Sequence, residues 1–265
     1  MSDRARQRRL ALILEYDGGR YGGSQVQKRA PTIQGELEAA LEKLTGERPR
    51  VAFAGRTDAG VHAKGQVAAF TSTSALEMDV FVRGLNAWLP EDIAVRRAVE
   101  VAERFDPRRH ATSRTYRYTI YNVPVRSPRW RAHAWHVAEP LDVDAMREAA
   151  AALIGQHDFA AFSRREGVST VRCVRRCEMA RRGALVTVEM EANAFLRQQV
   201  RRTLGSLVQV GTGRLSVVGL RDLLRRAESS SAGPLAPAHG LCLLRVTYPA
   251  DLLPGNADGD GGNRA

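Results

Sequence analysis

The chain has 265 residues, of which 44% are hydrophobic, so it can bury one large core or two cores in domains of about 130 residues each. It has no apolar run near the ~20 residues of a membrane-spanning helix and no signal-peptide core, which excludes a membrane protein and predicts a soluble, cytoplasmic one. The formal net charge of +11 favours a polyanionic partner such as nucleic acid, although a GC-rich genome would also enrich arginine.

The first half of the chain shows the order strand, helix, strand, strand, helix, strand. Apolar residues that recur every three or four positions, such as Ile33, Leu37 and Leu41, predict its helices. The predicted strands cover residues 10–16, 50–55, 65–72 and 93–101, and the predicted helices cover residues 32–44 and 79–88.

The second half repeats this order of elements without a repeat at the residue level. Asp142 is a candidate N-cap of its first helix, and Arg182-Gly183 is a candidate hairpin turn. The predicted strands cover residues 114–122, 171–181, 184–192 and 240–248, and the predicted helices cover residues 142–154, 193–210 and 217–226.

Two β-α-β-β-α-β units in one chain predict an α+β fold of tandem ferredoxin-like halves. Each half would carry an antiparallel sheet that is open on one face, and the open faces could meet to form a cleft. The predicted boundaries place a basic arm at residues 1–9, the two halves at residues 10–107 and 108–249, and a disordered tail at residues 250–265.

A glycine-flanked loop, Gly55-Arg56-Thr57-Asp58-Ala59-Gly60-Val61-His62, joins two of the predicted strands. Glycine allows positive φ angles and the close approach of a ligand, so this loop could present the Asp58 carboxylate as a reactive group at a strand end. Asp-x-Gly is also common in connecting turns, and the residues alone leave both interpretations open.

A carboxylate in a cleft needs a nearby cation to stay ionised, because burial raises its pKa and a guanidinium lowers it. Arg56 is the nearest candidate in sequence, and Arg201 on the long predicted helix is the second. Arg201 also fits a solvated helix face, together with Arg197 and Arg202.

Tyr116 and Tyr118 alternate along a predicted strand, so both lie on one face of its sheet. With Arg114 and Arg117 beside them, they could stack unpaired RNA bases, as aromatic side chains on the sheets of several RNA-binding folds do. Burial in the core is the alternative, and the sequence does not decide between the two.

Metal chemistry has little support in the sequence. Neither Asp58 with His62 nor His157 with Asp158 has a recognised ligand spacing, and His157-Asp158-Phe159 is more typical of a loop with a packed aromatic ring. The cysteines are odd in number and lack C-x-x-C spacing, which predicts reduced thiols rather than a structural zinc site: Cys173, Cys177 and Cys242. The G-x-S-x-G sequence of many serine hydrolases is also absent.

These residues together resemble the tRNA pseudouridine synthase A family over about residues 10–248. The most specific segment is the Asp58 loop with Ala63 and Gly65-Gln66-Val67. Weaker blocks are Tyr16-Asp17-Gly18, Leu85-Asn86, Leu89-Pro90, Arg114 to Tyr118, Gly155 to Phe159, Ala192 to Phe195 with Val200-Arg201, and Ala236 to Leu241.

The resemblance implies an isomerase that converts uridine to pseudouridine in the anticodon stem–loop of tRNA, at tRNA positions 38, 39 and 40. It makes Asp58 the nucleophile, Arg201 its basic partner and Tyr116 the aromatic that contacts the target base. Arg56 is assigned to the catalytic site with them, and Leu241 to the substrate-binding site. The family fold joins the antiparallel sheets of two ferredoxin-like halves around a central basic cleft, and its members act as homodimers without a cofactor. Alternatives are a synthase for other tRNA uridines and a non-catalytic RNA-binding module.

Three positions depart from the family pattern. Ser24 stands where the family usually has Trp, Asp106 where it usually has His, and Gln199 where it usually has Met. None of them is Asp58 or Arg201, so the departures leave the reaction in place and bear on how the RNA is gripped.

Overall fold

A computed structural model describes residues 6–164, 167, 169–229 and 231–254. The chain divides into two compact units, residues 1–112 with 243–265, and residues 113–242. Arg4 in the predicted basic arm and residues 255–265 of the predicted tail lie outside the described residues.

The described part of the chain contains ten strands and five α-helices. The strands are β1 Arg8–Tyr16, β2 Ala52–Phe53, β3 His62–Ser72, β4 Ile93–Val101, β5 Ser113–Asn122, β6 Trp135–Val137, β7 Gly155–Asp158, β8 Val171–Arg182, β9 Leu185–Ala192 and β10 Leu241–Thr247. The helices are α1 Ile33–Thr45, α2 Met78–Trp88, α3 Val143–Ala151, α4 Gln199–Gly211 and α5 Val217–Arg226.

The first unit has the β-α-β-β-α-β connection of a ferredoxin-like half. Its strands lie in the order β4-β1-β3, β2 pairs with β3 as well, and all three pairings are antiparallel. β10, of which residues 243–247 belong to this unit, also lies next to β3. Leu10, Leu12 and Leu14 of β1 are fully buried, so the central strand carries the core of this unit.

The second unit contains a sheet in the order β5-β9-β8-β7, in which the neighbours are antiparallel. The short strand β6 pairs with β5 in parallel. The helices α3, α4 and α5 contact one another, and the apolar side of α4 is buried at Leu204, Leu207 and Val208.

Side-chain caps set the start of three helices. Thr32 accepts a hydrogen bond from the Gly35 amide at the start of α1, and Asp142 accepts from the amides at the start of α3, as predicted. Ser216 accepts from the Gly219 amide, and α5 covers the predicted residues 217–226.

Several element boundaries differ from the sequence prediction. β1 begins at Arg8, so Arg8 and Arg9 of the predicted arm belong to the sheet, where Arg8 binds Glu100 at 2.9 Å. α4 begins at Gln199, because Gln198 adopts a left-handed conformation (φ 64°) that ends the preceding loop. β6 and β7 were not predicted, since strands of three and four residues are too short to show a period.

The His157-Asp158-Phe159 prediction was right for the aromatic ring and wrong for the loop. Phe159 is fully buried, but His157 and Asp158 are the last residues of β7. The His157 ring lies 2.9 Å from the Ile154 carbonyl oxygen, and the Asp158 carboxylate accepts from the Ala160 amide at 2.9 Å. Both side chains therefore stabilise local backbone.

The α+β class and the ferredoxin-like connection are confirmed. The division into units counts most of β10 with the first unit, whereas the sequence pattern places this strand in the second half. The predicted domain boundaries and the joining of the sheets around a basic cleft stay predictions. Across the described ranges, no helix is both long and apolar enough to cross a bilayer.

Candidate active site

The Asp58 loop connects β2 to β3 in the first unit. Its turn is closed by a hydrogen bond from the Val61 amide to the Asp58 carbonyl oxygen, at 3.1 Å. The Gly60 amide donates to the Tyr21 carbonyl oxygen at 3.3 Å, which fixes the far side of the turn. The Asp58 side chain is half-buried, so its carboxylate is neither sealed in the core nor fully solvated.

A buried set of polar side chains holds the loop from beneath. The Thr57 and Tyr16 hydroxyls are hydrogen-bonded at 2.9 Å. The Gln66 amide group donates to the Tyr16 oxygen at 3.3 Å and to the Gly55 carbonyl oxygen at 3.0 Å. Gln66 is fully buried and Tyr16 nearly so, and buried hydrogen bonds of this kind hold a loop in one conformation.

Ser24 holds the loop from a third chain segment. Its hydroxyl accepts a hydrogen bond from the Thr57 amide at 2.9 Å, and its own amide donates to the Thr57 carbonyl oxygen at 3.1 Å. Gly23 allows this approach, because it has a φ of +112° and a Cβ there would lie 2.7 Å from the Thr57 oxygen. The residue before Asp58 is thus fixed at both of its backbone polar groups.

The end of the loop packs against residues 17–18. A Cβ on Gly18 would lie 2.0 Å from the Val61 carbonyl oxygen, so only glycine fits there. The His62 Nδ1 atom lies 3.1 Å from the Gly18 amide nitrogen and 3.0 Å from Asp17 Oδ1. His62 therefore anchors the start of β3 to the Asp17 segment, which gives it a role in the structure of the loop.

Arg56 is exposed beside Asp58. Its side chain takes part in no hydrogen bond or ion pair with any residue that the structure describes. An exposed guanidinium without a carboxylate partner is available to an external phosphate. Its assignment to the catalytic site stays a prediction.

Tyr116 and Tyr118 lie on the same buried face of β5. Tyr118 is fully buried, and its hydroxyl donates to the Pro237 carbonyl oxygen at 2.8 Å. Of the two interpretations of Tyr118, core burial is therefore the one that holds. Tyr116 is 9% exposed and meets the Phe195 ring edge to face, with 5.4 Å between the ring centroids.

Arg201 lies on α4 and is half-buried, not on a solvated face. Its Nε donates to the Ala236 carbonyl oxygen at 2.7 Å, and the Ala236 amide donates to the Arg201 carbonyl oxygen at 3.2 Å. Burial raises the pKa of the Tyr118 hydroxyl well above its ordinary value of 10, and the Arg201 charge opposes this shift. Arg201, Tyr118 and the segment 236–240 therefore lie together in the second unit.

The remaining predicted site residue, Leu241, is the first residue of β10 and is 5% exposed. It follows directly on the segment that Arg201 and Tyr118 hold. Of the predicted site residues, Asp58 and Arg56 thus lie in the first unit, and Tyr116, Arg201 and Leu241 lie in the second. The catalytic and binding roles of all five predicted residues stay predictions.

The three residues that depart from the family pattern accept hydrogen bonds from backbone amides. Ser24 does so as described above, and the Gln199 side-chain oxygen accepts from the Leu196 amide at 2.8 Å. Both residues are fully buried. Asp106 accepts from the amides of Arg108 and Arg109 at 2.8 and 2.9 Å. These contacts lie within the chain's own loops, and an effect of the three residues on the grip of RNA stays a prediction.

The polar residues beneath the loop were not predicted as site residues. Ser24 and Thr57 are 33 positions apart, and Tyr16 and Gln66 are 50 apart, so their contacts follow only from the fold. The available signal was local: Tyr16-Asp17-Gly18, Ser24 and Gln66 all stood within or beside the blocks that carry the family resemblance.

Comparison with protein families and with individual proteins gives concordant matches. A family model described as tRNA pseudouridine synthase matches residues 12–108 and 149–249. The tRNA pseudouridine synthase A of Pelobacter propionicus is 46% identical over 91% of this chain and 100% of that protein. The same-named protein of Myxococcus xanthus is 49% identical over 91% and 92%, and that of Roseiflexus castenholzii is 46% identical over 96% and 94%.

Among solved structures, a Cbf5-Nop10-Gar1 complex matches over 76% of this chain and 54% of its own chain. The identity is 13% and the TM-score 0.30, and a likeness this weak carries no argument.

Proposed function

The chain belongs to the tRNA pseudouridine synthase family and is an isomerase that acts on tRNA, and from this premise we propose that it modifies uridines in the anticodon stem–loop with Asp58 as the nucleophile. The observation that carries the proposal is the Asp58 loop, in which one half-buried carboxylate stands on a backbone held by buried hydrogen bonds. A nucleophile must be held in place in this way, because small displacements at a reacting atom lower rates steeply.

The chemistry sets the groups that the site must supply. The bond between N1 of uracil and C1′ of ribose breaks, the uracil turns, and C5 joins C1′. C5 loses its hydrogen as a proton and N1 gains a proton, so the product is an isomer of the substrate. Nothing is oxidised and no energy source is consumed, so no cofactor takes part in the proposed reaction. A carboxylate, a cation and an aromatic surface for the loosened uracil are the groups that the protein contributes.

Arg201 and Tyr116 supply the second and third of these groups in the proposed reaction. Support for Arg201 comes from its half-buried guanidinium, which is oriented by the Ala236 carbonyl oxygen. Support for Tyr116 comes from its edge-to-face contact with Phe195, which fixes the plane of its ring. Leu241, at the end of the segment next to Arg201, is the proposed apolar contact for the base.

A target inside the anticodon arm must leave its base stack before it reacts, so the proposal includes base flipping. The formal charge of +11 supports binding to the phosphate backbone. The homodimer and the cytoplasmic location belong to the same proposal. The three cysteines of the chain are not joined in disulfides, which supports a reducing compartment: Cys173, Cys177 and Cys242.

The decisive experiment is tritium release from tRNA that carries 5-tritiated uridine. C5 loses its hydrogen only when the new bond forms there, so release measures the isomerisation itself. Wild-type protein should release tritium without added divalent metal, and sequencing after chemical labelling of pseudouridine should place the product at tRNA positions 38 to 40.

Other results would each remove a part of the proposal. Product at other uridines would refute the anticodon assignment, and tight tRNA binding without release would favour an RNA-binding module. Shortened RNA that depends on added metal would indicate a nuclease.

A further inference from the structure

The second unit contains an aromatic cavity that the proposed reaction does not use. Its volume is about 450 Å³, within the range of small-ligand sites. It lies between the end of β5, the segment 123–134 and β6. The main lining side chains are Tyr121, Arg126, Trp130, Arg131, Trp135 and His136.

Stacked and tilted rings form the walls of this cavity. Tyr121 and Trp130 are nearly parallel, with an angle of 22° and 6.4 Å between centroids, and Tyr121 and His136 lie 6.2 Å apart. The parallel pairing of β5 with β6 sets Tyr121 opposite His136. Trp135 contacts the buried Tyr118 ring edge to face at 6.3 Å. The walls formed by Tyr121, Trp135 and His136 are therefore fixed by the sheet.

Trp130 remains partly exposed although its backbone is ordered. Its amide donates to the Ser127 carbonyl oxygen at 3.1 Å, and its own carbonyl oxygen accepts from the Ala134 amide at 2.9 Å. The residue is nonetheless 37% exposed. An indole held in position at the mouth of a cavity, with part of its surface in water, offers a stacking surface to a planar ligand.

The segment around Trp130 is basic and contains no acid. No Asp or Glu occurs between Asn122 and Glu139, where the chain carries three arginines: Arg126, Arg129 and Arg131. All three are exposed, and they form no ion pair with any residue of the described ranges.

The arginines of the neighbouring sheet behave differently. Arg117 binds Glu189 at 2.6 Å, and Arg176 binds Glu178 at 2.9 Å. The cavity segment therefore differs from its surroundings in keeping its positive charges unpaired, which favours an anionic ligand.

We propose that this cavity binds one unstacked nucleobase of the tRNA, with the base against Trp130 and Tyr121 and the neighbouring phosphates on Arg126 and Arg131. Aromatic rings beside arginines recognise unpaired RNA in this way, because every base has a π-face and every nucleotide a phosphate. The inference rests on the proposed function, since it takes tRNA as the ligand.

The cavity is linked to Arg201 through one short segment. His239 lines the cavity, and Ala236, three residues earlier, is bound to Arg201 through two hydrogen bonds. A base seated in the cavity would therefore contact the segment that orients Arg201. The cavity is thus suited to a nucleotide near the target uridine, whose binding sets the register of the RNA.

Equilibrium binding of a tRNA transcript to the full chain tests this inference. Trp130→Ala should weaken binding about tenfold, because stacking on an aromatic contributes ~1–3 kcal/mol per base and 1.4 kcal/mol is a factor of ten. Trp130→Phe should keep most of the affinity, since it keeps a ring. Trp88→Ala is the matched control, because Trp88 is 52% exposed on α2 in the other unit, and it should bind as the wild type does.

A charge variant tests the phosphate contact without disturbing the aromatic walls. Arg131→Gln should reduce the slope of log affinity against log salt by roughly 0.7, the value for one contact to single-stranded RNA. Sedimentation of each variant gives its oligomeric state. A Trp130→Ala protein that binds like the wild type, or that loses affinity only because it changes oligomeric state, would overturn the inference and leave the cavity as a contact between copies of the chain.

This result is separable from the test of the proposed function. If the wild type forms pseudouridine in the anticodon arm while Trp130→Ala binds normally, only the cavity inference fails. If the wild type forms no pseudouridine but Trp130→Ala weakens binding, the cavity remains an RNA site and the proposed reaction fails.

Discussion

Ser24 and Thr57 exchange two hydrogen bonds, at 2.9 and 3.1 Å, and so fix the backbone next to Asp58. Ser24 is fully buried and stands where the family usually has Trp. We therefore expect Ser24 to be a positioning residue, which acts through Thr57 on the proposed nucleophile Asp58.

Ser24→Ala should lower turnover while leaving the KM for tRNA nearly unchanged. The substitution leaves the Thr57 amide buried without an acceptor, which costs about 1–3 kcal/mol and loosens the loop. Tritium release at saturating tRNA measures the loss, and urea unfolding measures the stability. Ser216→Ala is the matched control, since it also removes a hydroxyl that accepts from an amide at 2.9 Å. It should reduce stability and leave turnover unchanged, and equal losses of turnover in both variants would refute the positioning role.

Asp58→Asn should bind tRNA and form no pseudouridine. The amide is nearly isosteric, so the half-buried position and the hydrogen bonds of the loop backbone are preserved, but the nucleophilic charge is lost. Binding and tritium release are measured on the same preparation. Activity retained by this variant would remove Asp58 from the mechanism.

Arg201→Ala should lower turnover by about 10²-fold or more, the loss typical of removing one preorganised donor. Arg201→Lys keeps the positive charge but loses the hydrogen bond from Nε to the Ala236 carbonyl oxygen. A turnover between those of Arg201→Ala and the wild type would therefore show how much the charge contributes without this hydrogen bond. Arg225→Ala on α5 serves as control, with 78% of its side chain exposed. If Arg201→Ala turns over at the wild-type rate, Arg201 is not catalytic and only holds residues 236–240 in place.

The Glu47 carboxylate should stabilise the folded protein only at pH values above the pKa that it has in the folded state. Burial pushes the pKa of Glu47 up, but hydrogen bonds from Ser72 and Thr73 outweigh this and lower the pKa below 4.5. The carboxylate therefore favours the folded state above pH 4.5, and this contribution is lost as the pH falls through the lower folded pKa. The stability difference between the wild type and Glu47→Gln, measured by urea unfolding, should shrink as the pH falls below 4.5. A difference that stays constant over this range would contradict the assignment.

Binding of tRNA should weaken steeply with salt. Phosphate contacts release counterions, so between about 50 and 200 mM salt the affinity should fall by more than about tenfold. Filter binding or fluorescence anisotropy measures the slope. A flat dependence would show that the charge of +11 is not used for the RNA.

The sequence was enough to predict those elements and loops that a local pattern of residues determines. α5 was predicted to the residue because Ser216 caps it and its apolar residues recur at helical spacing. The Asp58 loop was singled out because glycines flank it, and the catalytic role of Asp58 stays a prediction. The start of α4 was misplaced by six residues, since the left-handed Gln198 gives no sequence signal. The Ser24 contact could not be predicted, because it joins residues that only the folded chain brings together. The aromatic cavity depends in the same way on the pairing of β5 with β6.

The support beneath the Asp58 loop has a thermodynamic consequence. Tyr16, Ser24 and Gln66 hold the loop from three separate chain segments through hydrogen bonds within the protein. Its conformational entropy is therefore lost once, when the chain folds, and not again in each catalytic cycle. In the proposed reaction, the free energy of tRNA binding then remains available for unstacking the target base, which the base stack of the RNA opposes.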